Sequence, residues 1–275
     1  MLNVQIVVWR ESLEAMLVIG VLLAWIARQP DPKRLSRALW LGVGGGILLA
    51  FGLGGLMFAT QSGLDGEALE LFQVVIVFFA AALILQMVTW MRLHGRDMKR
   101  QLEAGASRTS EGRGRFGLAT IAALAVGREG AETVVFMYGM GIEQQGRALF
   151  DVLLAALLGL AAAGLTAWLV ARGARFLSYR VLFRVSEILL LLVAAALLGN
   201  GVDRLIGLDW LSPLIDPLWD SSNLLDDATG TGRVLADFTG YRARPTASIL
   251  IAYLGFWVIA LWRLHRASAA SANVS

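Results

Sequence analysis

Followed along its length, the chain alternates long apolar runs with short polar segments. Runs of about 20 residues, each able to cross a hydrocarbon layer of roughly 30 Å as a helix, predict spans over residues 4–27, 36–60, 68–91, 116–142, 148–171, 181–201 and 246–263. Within them apolar residues follow one another without a period of two, which predicts helices rather than a barrel. The expected fold is therefore an all-α integral membrane protein of about seven transmembrane helices.

Composition agrees: 57% of the 275 residues are hydrophobic and 16% are charged, too apolar a balance for a chain that folds in water. The net charge of +3 is less informative than where the basic residues stand. Seventeen of the 24 Lys and Arg fall in residues 28–37, 92–115 and 172–184 and in the tail from Arg263. The alternate segments, 61–70, 143–151 and 203–245, hold five basic residues against twelve acidic ones. This is the signature of membrane topology, not of a nucleic-acid surface: the basic segments are expected in the cytoplasm, the N-terminus outside and the C-terminus inside. The acidic outer side would favour cations. The first run lacks a basic leader and is longer than a signal core, so it is read as a retained span. There is no cysteine, which excludes thiolate ligands. His94 and His265 fall at cytoplasmic helix ends and are read as solvated.

Some charges lie inside apolar runs and need their own explanation. Arg10-Glu11-Ser12-Leu13-Glu14 and Arg128-Glu129-Gly130-Ala131-Glu132 share the pattern Arg-Glu-x-x-Glu, 118 residues apart. They fall in the first and fourth spans, with two spans between, so the two boxes run in opposite directions through the membrane. That predicts a 3+3 inverted repeat with the seventh helix outside it, the arrangement of many transporters, whose substrate site lies near the midplane. The domains expected are a first repeat over 1–91, a basic cytoplasmic linker over 92–115, a second repeat over 116–201, an extracytoplasmic segment over 202–245, and a seventh helix with cytoplasmic tail over 246–275. In the outer segment, Trp210, Pro213, Pro217 and Trp219 among aspartates predict short pieces at the membrane surface. Glycines 42, 44, 45, 46, 52, 54 and 55 of the second span predict close helix contact.

Residues three apart on a helix share a face, so Glu11 with Glu14, and Glu129 with Glu132, can each reach one ion. If the two helices face each other, four carboxylates form one site or two adjacent ones. Such an oxygen-only donor set suits a hard cation: iron in either state, manganese, magnesium or calcium. Arg10 and Arg128 stand four residues before the second glutamate of their boxes, placed to balance carboxylate charge when no cation is there. A buried ion pair can also serve packing alone, but packing needs no second glutamate on the same face. Glu70 and Gln73 at the outer start of the third span are candidates for an outer relay. Glu187, near the inner start of the sixth, is a candidate exit relay or a partner of Arg184. Met137 and Tyr138, just after the second box, are read as packing residues.

The boxes resemble the paired motifs of the oxidase-dependent iron transporter family, the high-affinity iron permeases. Glu70-Leu71-Phe72, Trp90-Met91-Arg92, Gln101-Leu102-Glu103 and Gly240-Tyr241 add likeness to its bacterial, EfeU-like branch, across nearly the whole chain. The resemblance implies an iron permease of the bacterial cytoplasmic (inner) membrane, not an enzyme, in which Glu11, Glu14, Glu129 and Glu132 handle iron. Iron would be the transported substrate, with no cofactor, and the partners would be membrane lipid and a separate periplasmic iron oxidase or iron-binding protein. Ala131 replaces a leucine frequent inside the box, and Gln73 stands where a second acid often follows, which counts against an outer relay. The nearest alternative is a related permease for another metal such as lead or manganese. An intramembrane hydrolase would want a nucleophile motif or a His-Glu-x-x-His site, and neither is in the chain. A scaffold acting through 203–245 would leave the buried glutamates unexplained.

Overall fold

The computed structural model describes residues 2–94, 104, 114–140, 148–172 and 179–272. Among these lie eight helices and no strand: α1 (Leu2–Ile26), α2 (Pro32–Ser62), α3 (Glu67–His94), α4 (Gly114–Gly139), α5 (Ala148–Ala171), α6 (Tyr179–Gly207), α7 (Gly230–Thr239) and α8 (Ala247–Ala272). The helices α2, α3, α5, α6 and α8 are long and apolar enough to cross a membrane. α1 and α4 are of similar length but carry the box charges near their middles.

Helix ends follow local chemistry. α2 starts where Asp31 accepts a hydrogen bond from the Arg34 N–H at 3.3 Å and Pro32 takes the first turn, a position where proline has no bond to lose. α6 runs six residues beyond the predicted 201, so Asp203 and Arg204 are helical rather than part of a loop. Their side chains have partners that sequence cannot show: Asp203 meets Arg242 at 3.3 Å, and Arg204 donates to Gln73. α8 continues through the expected tail, so Arg263, His265 and Arg266 are helical, with His265 exposed as expected. His94 closes α3; its side chain, Gln101-Leu102-Glu103 and most of the 92–115 linker lie outside the described residues.

The centre of the bundle is formed by α3 and α6. Ala80, Ile84, Val88, Leu190, Ala194 and Ala195 pack there with Val7 of α1, Phe136 of α4 and Phe256 of α8. A second cluster joins Leu22 and Trp25 of α1 to Leu39 of α2 and Leu118 of α4. Beyond these contacts, α2 packs along α4, and α5 packs along α1. The first pair is held by small residues. A Cβ on Gly42 would fall 2.2 Å from the Ala119 carbonyl oxygen, and one on Gly46 would fall 2.8 Å from both Ala123 O and Gly127 N. Gly44, Gly52 and Gly55 face open space, so only part of the glycine-rich run serves close contact. In the second pair, Gly159 admits the α1 backbone, with Gln5 O 2.7 Å from a Cβ built there. Large apolar side chains are exposed along the outside, including Leu41, Leu48 and Phe51 of α2, Leu157 and Leu165 of α5, and Ile251 and Val258 of α8. Lipid tails are their natural solvent.

The segment after α6 folds back on the start of α8. Leu218 N–H donates to Pro245 O at 2.8 Å, Ser221 N–H to Ala243 O at 2.9 Å, and Ala247 N–H to Ile215 O at 3.0 Å. Gly240 caps α7 at φ 72°, and a Cβ there would lie 3.0 Å from Ala196 Cα. Glycine meets both demands. Next to it, the Tyr241 hydroxyl lies 2.7 Å from Ser221 Oγ and donates to Leu225 O at 3.0 Å. Several aspartates of residues 203–245 are engaged: Asp203 and Asp227 face Arg242, and Asp220 binds Arg244 at 3.0 Å. Asp220 is held down to a pKa of about 2, first by the Ser222 hydroxyl and N–H and then by Arg244. The anionic field expected of these residues is thus partly cancelled locally.

Candidate cation site

Glu14 is the thirteenth residue of α1, and Glu129 the sixteenth of α4. Both boxes are mid-helix, where a backbone bonded to itself leaves side chains as the polar groups on offer. Arg10 is 2% exposed and Glu11 1%, and Glu14 and Glu129 are also buried. Such charges are tolerated only in company. Arg10 supplies it for α1: Nη1 donates to Glu11 Oε1 at 2.7 Å, and Nη2 lies 2.5 Å from Glu14 Oε1 without hydrogen-bond alignment. On α4, Arg128 Nε donates to Glu132 Oε1 at 2.8 Å and stands 3.8 Å from Glu129 Oε1.

Across the helix interface, one carboxylate oxygen each from Glu11, Glu14 and Glu129 lie within 4.8 Å of one another. Glu132 is not in this triad; it turns to Arg128. The geometry is thus three carboxylates and a fourth held beside them, rather than four equivalent ligands. Glu11 Oε2, Glu14 Oε1, Glu129 Oε2 and Glu132 Oε2 are buried without a hydrogen-bond donor. Arg10 offsets the charge at Glu14 Oε1, but the donorless oxygens of Glu11 and Glu129 remain costly to bury unless something positive joins them. A bound cation would meet that need with oxygen ligands alone, the chemistry of a hard metal ion.

The boxes are not equivalent. The Arg128 side chain is 43% exposed and lies over the Trp90 ring, 5.0 Å from its centroid. Arg10 instead contacts two thioethers of α3, Met87 Sδ at 2.9 Å and Met91 Sδ at 2.8 Å. The sequence pattern held Trp90 and Met91 only as part of a family likeness and gave Met87 no role; their spacing, three and four residues apart on a helix face, was the available signal.

The remaining candidates stand apart from the triad. Gln73 accepts from Arg204 of α6, and Glu70, partly exposed, opens α3. Glu187 pairs with Arg92 of α3, in place of the expected Arg184. An ion pair between helices ties α3 to α6, which a pair within one helix would not. Tyr138 donates to Gly54 O at 3.2 Å, and Met137 packs against Val4, Val8 and Ala155.

With an all-helical membrane bundle and buried carboxylates in view, comparison with known proteins decides the class. Residues 1–265 match the iron permease FTR1 family. The chain belongs to that family. It is similar to an uncharacterized protein of Archaeoglobus fulgidus, 29% identical over 274 residues, 97% of this chain and 95% of that protein. It is also similar to ferrous iron permeases named EfeU from Escherichia coli and Yersinia pestis. Both are 26% identical over 258 residues, 93% of this chain and 92% and 90% of theirs respectively. No solved structure matches. As an FTR1 family member with five apolar spans, the chain is a multi-pass membrane protein of iron transport.

Proposed function

We propose that the chain carries iron across the cytoplasmic membrane of a bacterium through a composite site formed by the boxes of α1 and α4. The observation carrying this is the buried triad of Glu11, Glu14 and Glu129, drawn from both helices within 4.8 Å. Glu132 is the next carboxylate along α4 and takes the ion over from the triad, while Arg10 and Arg128 neutralise the glutamates between ions. The names of the EfeU relatives favour the ferrous ion as cargo. Delivery of iron in that state falls to a separate periplasmic protein.

We read α1 to α3 and α4 to α6 as the two inverted repeats, with α8 as the seventh span, the N-terminus outside and the C-terminus inside. The reciprocal packing of α2 on α4 and α5 on α1 supports this, since a twofold axis in the membrane plane would exchange those pairs. Glu70 would sit at the outer mouth and Glu187 at the inner one.

The test is uptake of radioactive iron into proteoliposomes, supplied separately as ferrous and ferric ion with manganese and lead as competitors. Glu14→Ala and Glu132→Ala should each reduce uptake to background, with ferrous ion preferred. Equal uptake by all three proteins would overturn the proposal.

A further inference from the structure

Three side chains of one turn of α3 meet the arginines of both boxes. Met87 and Met91 contact Arg10, and Trp90 lies under Arg128. None of the three bears a charge, and none is a carboxylate able to compete for a metal ion on equal terms. The contacts to Arg10 are paired atom by atom. Nη1 faces both Glu11 Oε1 and Met87 Sδ, and Nη2 faces both Glu14 Oε1 and Met91 Sδ. Each nitrogen already touches both a carboxylate and a thioether, so Arg10 has a second acceptor in place if the carboxylate is drawn away.

A cation entering the triad competes with Arg10 for the charge of Glu11 and Glu14, whose Oε1 atoms Arg10 now contacts, and pushes the guanidinium away. The displaced guanidinium cannot turn to water, because Arg10 is 2% exposed. Left without acceptors, a buried charge of that size would oppose cation binding. A thioether is a weak acceptor but a polarizable one, and an indole face attracts a guanidinium through its quadrupole. Both give a displaced arginine a partner without taking a carboxylate away from the cation.

We propose that residues 87–91 of α3 are a holding platform for the box arginines: Met87 and Met91 receive Arg10, and Trp90 receives Arg128, when the carboxylates take the cation. These are positioning residues that act through the arginines and tie α3 to the occupancy of the site. The proposal rests on the transport reading above and gives it a mechanism of release.

The experiment is a pair of double-mutant cycles read on uptake into proteoliposomes, with ferrous ion and manganese each as the probe. In the first, Met87→Leu with Met91→Leu is made in the native chain and in Arg10→Gln. Leucine keeps the volume and removes the acceptor. In the native background the half-saturating concentration should rise roughly 10- to 100-fold, the range typical of lost support around a metal site, while the maximal rate holds. In the Arg10→Gln background the same change should shift nothing further, because the group being held is gone. The second cycle sets Trp90→Leu against Arg128→Gln, where the half-exposed arginine makes folding tolerant of the change, and Trp90→Phe should recover most of the loss. Shifts that multiply independently of the arginines, or no shift in the native background, would overturn the platform while leaving the transport reading intact. A native chain that takes up neither ion would overturn both.

Discussion

The unequal burial of the two box arginines makes a prediction at the scale of single side chains. Arg10 is enclosed, and removing it leaves Glu11 and Glu14 buried without their cation. Arg10→Gln should cost about 3–5 kcal/mol, the usual result of breaking a buried pair. Arg128 is 43% exposed on its side chain, and Arg128→Gln should cost about 1 kcal/mol or less. Thermal unfolding in detergent would separate them; equal losses would contradict the asymmetry. The local part of each box was legible in sequence, because a spacing of four residues brings Arg10 to Glu14 and Arg128 to Glu132 on any helix. The gathering of Glu129 with Glu11 and Glu14 was legible only on the condition that the two box helices face each other, and the turning of Glu132 to Arg128 was not legible, since it depends on how α1 meets α4.

At the level of helices, contact between α2 and α4 depends on Gly42 and Gly46 rather than on the glycine-rich run as a whole. Gly46→Ala should destabilise by about 1–3 kcal/mol through the displaced α4 backbone. Gly44→Ala, facing open space, should be neutral or slightly stabilising, as alanine is the better helix former. Unfolding midpoints of the two variants check this. Residues 203–245 make a pH prediction. Asp220 has a folded pKa of about 2, below the roughly 3.9 of an unfolded aspartate. Its contribution is therefore complete above about pH 4 and is lost only as pH falls towards 2. Trp219 fluorescence should stay constant from neutral pH to about 4, and Asp220→Asn should show at neutral pH the change the native chain shows near 2. Each predicted apolar run overlaps an observed helix, because such runs leave little alternative, and five of these helices are long and apolar enough to cross a membrane. The extension of α6 and the short α7 escaped prediction for a physical reason. Asp203 and Arg204 look like loop residues until Arg242 and Gln73 are seen beside them, and α7 begins Gly230-Thr231-Gly232, a poor helix start stabilised by its neighbours.

For the whole molecule, the proposed orientation and the composite site make separate demands. The chain lacks cysteine, so single cysteines report sidedness without background. With the N-terminus outside and the C-terminus inside, Asn223→Cys should react with an impermeant maleimide on intact cells and Ser268→Cys only after permeabilisation; the reverse pattern would invert the topology. The composite site is the central claim, and iron binding to the purified protein tests it most directly. A single site shared by two helices predicts one ferrous ion per chain, with affinity falling at least about 10-fold in both Glu14→Gln and Glu129→Gln. Two ions per native chain, with each substitution removing one and leaving the other at full affinity, would contradict it.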